Sequence, residues 1–173
     1  YELKNYFYDS YSPNSLPDND ICFLKEDSLL NLWIGTQEGL AIYNRGEDNF
    51  TLIYHNNAPV QAKTACLLTD GILFAGTGLW IYSYADRQLH SLPIINKGKA
   101  INDYFKYIKP WKKNTYVVGT QWKGVYLYHT DSHQLTPFTS CKKQHISSYF
   151  IDKQKNLWLS PYGEGMILSL IHI

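Results

Sequence analysis

The stretch Asn31-Leu32-Trp33-Ile34-Gly35-Thr36-Gln37-Glu38-Gly39-Leu40-Ala41-Ile42-Tyr43 decides the fold. Its apolar residues are β-branched or aromatic and fall in two short runs split by glycine, the pattern of a hairpin rather than of a helix. The pattern returns as Ile72-Leu73-Phe74-Ala75-Gly76-Thr77-Gly78-Leu79-Trp80-Ile81-Tyr82 and as Thr115-Tyr116-Val117-Val118-Gly119-Thr120-Gln121-Trp122-Lys123-Gly124-Val125-Tyr126-Leu127-Tyr128. A shorter copy begins Asn156-Leu157-Trp158-Leu159-Ser160. With Gly35, Gly76, Gly119 and Ser160 taken as equivalent, the step is about 41 to 43 residues, a period that marks repeat architectures. A second glycine in each copy (Gly39, Gly78, Gly124, Gly165) is expected to give the turn a permissive backbone.

Each hairpin has company on both sides. Upstream lie the strand candidates Ile21–Leu24, Ala65–Leu68, Tyr104–Ile108 and Ser148–Ile151; downstream, after a polar turn, come Phe50–Ile53, Gln88–Leu92 and Gln134–Phe138. Four antiparallel strands per repeat of this length make a β-propeller blade, whose faces are covered by its neighbours. The expected fold is therefore all-β, a propeller fragment of about four blades with four antiparallel strands each. Residues 1–173 read as a single propeller segment: 1–15 the last strand of a preceding blade and a connection, then blades at 16–57, 58–100 and 101–143, and a partial blade at 144–173. Leu3–Tyr8 is the leftover strand, and the last blade stops after a third strand within Met166–Ile173. Trp33, Phe74, Val117 and Trp158 take equivalent places as packing between blades, and Trp80 is a core residue. Trp111 falls in the turn between first and second strands.

Composition narrows the function. Sixteen Lys plus Arg against 15 Asp plus Glu leave a net charge of +1, and 45% of the 173 residues are apolar, enough for one core. No Lys/Arg block provides the electrostatic footprint of a nucleic-acid or anionic-membrane binder. No apolar run approaches the roughly 18 residues of a membrane helix, so neither a nucleic-acid partner nor direct membrane contact is expected. Cys22, Cys66 and Cys141 cannot all pair, and none sits in a zinc spacing. His129 and His133 flank a tight turn instead of sharing a helix face, which argues against a metal. The chain opens at Tyr1 in mid-pattern and reads as a piece of a longer protein.

The string Leu16-Pro17-Asp18-Asn19-Asp20-Ile21, followed by Asp27 and by Asn31 through Asn44, closely resembles the two-component regulator propeller repeat. The blade starting near Leu16 matches nearly throughout, and the resemblance covers most of the chain. The second copy lacks the Trp, the third has Val117 in its place, and the fourth replaces Gly-Thr by Ser160-Pro161. Such repeats form periplasmic sensor regions of hybrid two-component proteins, sensor histidine kinase and response regulator in one chain, of gut bacteria. The resemblance implies an extracytoplasmic segment that senses glycan-derived oligosaccharides, in a parent anchored in the inner membrane, relaying to a kinase elsewhere in that parent. It implies signal transduction toward carbohydrate-utilisation genes, with no catalytic residue and no cofactor here.

Ligands meet a propeller at the turns between second and third strands. There the chain carries Gln37-Glu38, Gln121-Trp122-Lys123 and Pro161-Tyr162-Gly163-Glu164. Aromatic planes stack on the C–H faces of sugars while amides, carboxylates and ammonium groups bond hydroxyls. Trp122 is accordingly the leading ligand-binding residue, with Gln121, Lys123, Tyr162, Glu38 and Glu164 beside it; the alternative is a surface Trp packed on a neighbouring loop. Two other functions stay open. One is a protein-interaction or dimerisation scaffold without a small-molecule ligand, with two copies pairing as arcs of one ring. The other is an enzyme, for which only Glu38 and Glu164 offer carboxylates.

Overall fold

The computed structural model describes residues 3–92, 95, 96, 99–101, 103–138 and 145–169, with backbone alone at 95, 96, 99 and 100. Strands β1 (Ile21–Glu26), β2 (Leu32–Thr36), β3 (Leu40–Asn44) and β4 (Asn49–Leu52) pair antiparallel in that order as one sheet. A short ladder of β5 (Tyr54–His55) on β6 (Ala58–Pro59) leads to the second sheet, β7 (Ala62–Leu67), β8 (Gly71–Gly76), β9 (Leu79–Ser83) and β10 (Gln88–Ser91). These sheets make up a first unit, Tyr1–Ser91; Leu92–Ile173 form a second. In the second unit, β11 (Ile95–Asn96) pairs with β12 (Lys99–Ala100). A four-stranded sheet follows from β13 (Phe105–Lys112), β14 (Thr115–Thr120), β15 (Val125–His129) and β16 (Gln134–Pro137), then a three-stranded one from β17 (Ile146–Ile151), β18 (Leu157–Pro161) and β19 (Ile167–Ser169). The described residues contain no helix.

One corner is built the same way at both ends of the chain. Asp27 N donates to Asn31 O at 3.0 Å and Leu30 N to Asp27 O at 3.1 Å; Asp152 and Lys155 repeat these bonds with Asn156 O and Asp152 O at 3.1 and 3.0 Å. The Asp27 carboxylate also accepts from Leu29 N, Asn31 N, Asn31 Nδ2 and Trp33 Nε1. An Asp-x-x-x-Asn-x-Trp spacing therefore shapes the first corner and fixes an indole on the sheet face beyond it. Trp33 is fully buried there, with its ring centroid 4.9 Å from that of Phe74 and 4.8 Å from that of Tyr82. Leu40, Val60, Ile72 and Trp80 complete this core between the first two sheets. In the second unit Trp111, Val117, Phe138, Tyr149, Leu157 and Leu159 do the same.

The hydrogen bonds place the second copy one residue out of the step read from the sequence. Thr36 N donates to Gly39 O and Thr120 N to Gly124 O, but in the second sheet Gly76 N makes that bond, to Gly78 O. Gly76 thus takes the place of Thr36, and Phe74 that of Ile34. Strand side chains alternate, so the slip turns Phe74 to the opposite face: it is the partner that covers Trp33, not its counterpart. Backbone crowding requires the glycine, since a Cβ at Gly76 would lie 2.1 Å from Gln61 O.

Four more expectations change. Leu3–Tyr8 forms no strand; Tyr6 instead packs on Tyr43 and Phe50 with centroids 5.7 and 5.3 Å away, and its hydroxyl donates to Asp48. Trp111 is not in a turn, because β13 runs on to Lys112; the ring is buried and its Nε1 donates to Lys155 O at 2.7 Å. Trp158 is only half-buried, with no following sheet against it among the described residues. Positive φ occurs at Gly124 and Gly165 but not at Gly39 or Gly78. Trp80 is a core residue as expected. Cys141 and the part of the last blade beyond Ser169 lie outside the described residues.

Candidate functional site

The turn between β14 and β15 is fixed before any ligand arrives. Thr120 Oγ1, fully buried, donates to Gly124 O at 2.8 Å and accepts from Lys123 N at 3.0 Å. Asp103 Oδ2 accepts from Trp122 N and Lys123 N at 3.0 and 2.8 Å, while its Oδ1 accepts from Tyr104 N. A carboxylate taking several backbone N–H groups is a charge-assisted clamp. It holds the turn so that Trp122 projects with 61% of its surface exposed.

Next to it stands His145, on the residue leading into β17. The Trp122 and His145 ring centroids are 5.0 Å apart with planes tilted 34°, and His145 meets Tyr162 at 5.8 Å and 62°. His145 O also accepts from Tyr162 N at 2.9 Å, tying the β18–β19 turn to the start of β17. That bond has a counterpart in every copy: Gln37 N to Asp20 O, Thr77 N to Gln61 O and Gln121 N to Tyr104 O. Tyr162 is 78% exposed. The outcome is a row of three rings, Trp122, His145 and Tyr162, across one end of the last two sheets.

Gln121 and Lys123 flank Trp122 on its turn, and Glu164 shares the turn of Tyr162, so five of the six expected residues stand on the two turns that carry the row. Glu38 does not belong to it. It sits on the β2–β3 turn of the first unit, on the wall of a recess of about 350 Å³ lined also by Tyr8, Asp9, Ser15 and Tyr54. His145 is the residue that sequence reasoning missed. Its position holds Asp20, Gln61 and Tyr104 in the other copies, and only its carbonyl has a repeated role. Among the described residues no group of three His, Cys, Asp or Glu is placed to hold a metal. His133 Nδ1 is 2.9 Å from Tyr128 Oη, and His129 Nε2 is 3.0 Å from Thr136 Oγ1. No helix among the described residues is long and apolar enough to cross a membrane.

No family model matches the sequence, and no curated protein does. Solved structures do. The extracellular domain of a hybrid two-component system of B. thetaiotaomicron superposes with a TM-score of 0.68 at 21% identity, over 95% of this chain and 22% of the other. A second such domain from the same organism gives 0.67 at 20%, over 90% and 22%. The C-terminal WD40 domain of Sif2 gives 0.60 at 12%, over 88% and 46%. The chain is a β-propeller segment. It spans about a fifth of the length of the two extracellular domains it resembles.

Proposed function

We propose that this segment is the extracytoplasmic, periplasmic sensor part of a hybrid two-component regulator, and that glycan-derived oligosaccharides bind on the Trp122–His145–Tyr162 row. The observation that carries the reading is the row itself: Trp122 and Tyr162 open to solvent on either side of the half-buried His145, with Trp122 on a turn already braced by Asp103. Pyranose C–H faces stack on such rings, and little ordering remains to be done on binding. Gln121, Lys123 and Glu164, on the same turns, supply groups for sugar hydroxyls. The neighbours that are extracellular domains of two-component systems support the sensory part of the reading. Relay to a kinase, anchoring in the inner membrane and control of carbohydrate-utilisation genes belong to the rest of the parent chain. The segment turns over no substrate.

Calorimetry with di- to tetrasaccharides of β-1,4-glucan, β-1,4-mannan, β-1,4-xylan and α-1,4-glucan tests the reading. At least one series binds, and Trp122→Ala weakens it tenfold or more, about 1.4 kcal/mol. Silence across the panel, or a Trp122→Ala variant that binds as well as the parent, overturns it.

A scaffold role is the second reading, favoured by a different observation: Phe150, 61% exposed, and the exposed Leu168 stand on either side of the half-buried Trp158 on the last sheet.

A further inference from the structure

Five lysines from two separate stretches of sequence meet within the second unit. Trp111, near the end of β13, donates from Nε1 to Lys155 O at 2.7 Å, which sets the β13–β14 turn beside the Asp152–Asn156 corner. Lys112 Nζ lies over the Trp111 ring, 4.7 Å from its centroid, and Lys109 Nζ reaches the Tyr149 ring of β17 at 5.2 Å. Lys113 follows in the turn, and Lys153 and Lys155 stand on the corner. All five are exposed. They are five of the sixteen Lys and Arg residues of the chain, gathered by the fold although no run of sequence holds them together.

None of the five makes an ion pair among the described residues. The carboxylates beside them are already engaged: Asp131 accepts from Asn114 Nδ2, and Asp152 from Asn156 and Trp158. A corner of this kind also stays open when a further sheet packs beside it. Ser28, Leu29 and Leu30 hold the places of Lys153, Gln154 and Lys155 on the first sheet, and they are exposed although Phe74 and Tyr82 cover Trp33 just beyond them. Cations that crowd without counter-charges create a local positive field that attracts anions.

We propose that this corner docks an extended acidic peptide segment of a partner protein. Trp111 and Tyr149 are buried beneath the ammonium groups, so the surface offers no aromatic plane to a sugar ring or a nucleobase and no exposed aromatic anchor to a folded partner. What it offers is charge, which suits a chain of carboxylates that has no core of its own to bury. β14 and β18 start here and end at the turns that carry Trp122 and Tyr162, so the contact lies at the opposite end of these sheets from the aromatic row and leaves that row free.

Fluorescence anisotropy of a fluorescein-labelled oligoglutamate tests it. The parent chain is expected to bind the peptide at low salt and to lose tenfold or more in affinity as the salt is raised from about 0.05 to 0.3 M and the charges are screened. The double variant Lys112→Glu/Lys155→Glu, at exposed positions so that folding, checked by circular dichroism, is retained, is expected to bind at least tenfold more weakly. Arg45→Glu/Arg87→Glu carries the same net charge with both changes at exposed positions of the first unit, and is expected to bind as the parent does. A parent chain that does not bind the peptide overturns the proposal, as does an equal loss in the two double variants, which would mean attraction by net charge alone. Heparin or phosphatidylserine vesicles that displace the labelled peptide at a lower concentration of anionic charge than unlabelled peptide does would give the surface to a polysaccharide or a membrane, and overturn it too. None of these outcomes bears on saccharide binding at the Trp122 turn.

Discussion

The indole Nε1 of Trp33 lies 2.8 Å from Oδ2 of Asp27, a buried carboxylate that takes four hydrogen bonds and makes one corner hold both a turn and a core side chain. Asp27→Ala leaves the buried indole N–H without an acceptor and the corner without its brace. A loss of about 2–3 kcal/mol is expected, by urea denaturation. Asp152→Ala, at the more open counterpart, costs less.

The same carboxylate sets an acid limit. Burial opposes its charge, but the hydrogen bonds led by Trp33 and Asn31 outweigh this and hold Asp27 below the usual 3.8. A group whose pKa falls on folding contributes stability above its unfolded value and loses it as pH drops through the folded one. The urea midpoint of the parent chain is therefore steady above about 4 and falls steeply below 3.8. In Asp27→Asn the fall is shallower. Equal acid slopes in the two proteins contradict the account.

Leu30 sits in the left-handed region at φ 64 because the Asp27 corner demands it, and its side chain is exposed. Replacing a strained, exposed residue there by glycine removes a steric cost of about 1 kcal/mol, less the entropy glycine adds to the unfolded chain. Leu30→Gly is expected to leave thermal stability unchanged or raise it by a few degrees. A large loss would mean that Leu30 packs in a way its exposure denies.

The one-residue slip of the second sheet makes a sharper forecast. At Gly76 an added Cβ meets backbone atoms of Gln61 and Ala62, which have no room to move, whereas at Gly163 it meets nothing within 4 Å. Gly76→Ala is expected to destabilise by 2 kcal/mol or more, roughly the range of overpacking. Gly163→Ala, strained only by its positive φ, costs about 1 kcal/mol.

These positions show where sequence was readable and where it was not. The period and the strand pairs were legible because each is set by local chemistry, alternation and glycine, whereas Asp27 was placed only by the resemblance and its bonds to Asn31 and Trp33 by the structure. The slip was not, because Gly76-Thr77 looks like Gly35-Thr36 and only the backbone bonds, from Gly76 N to Gly78 O and from Thr77 N to Gln61 O, tell them apart. Trp111 was misplaced because Pro110 and Lys112 suggested a turn, while the burial of its ring extends β13 through them. Trp122 and Tyr162 could be found from the turns they occupy. His145 could not, since its ring meets theirs only through the pairing of β17 with β18.

Burial also separates the described cysteines. It pushes the Cys66 thiol up to about 11, with Lys25 pulling weakly the other way, while Cys22 is partly open to solvent. In a Cys141→Ser background, iodoacetamide at neutral pH is expected to label Cys22 well before Cys66, read by peptide mass spectrometry. A thiol raised on folding contributes stability that is complete below its usual value of 9 and is lost as pH climbs toward 11. The urea midpoint falls across that window, and less so in Cys66→Ala.

The most direct test of the sensory reading uses the indole N–H signals of the five Trp residues in a nitrogen-15 NMR spectrum, assigned by single Trp→Phe variants. Titrating in whichever oligosaccharide series binds by calorimetry should move the Trp122 signal progressively to saturation, while those of Trp33 and Trp111, bonded inside the sheets, stay in place. A saccharide that binds and leaves Trp122 unmoved would contradict the account.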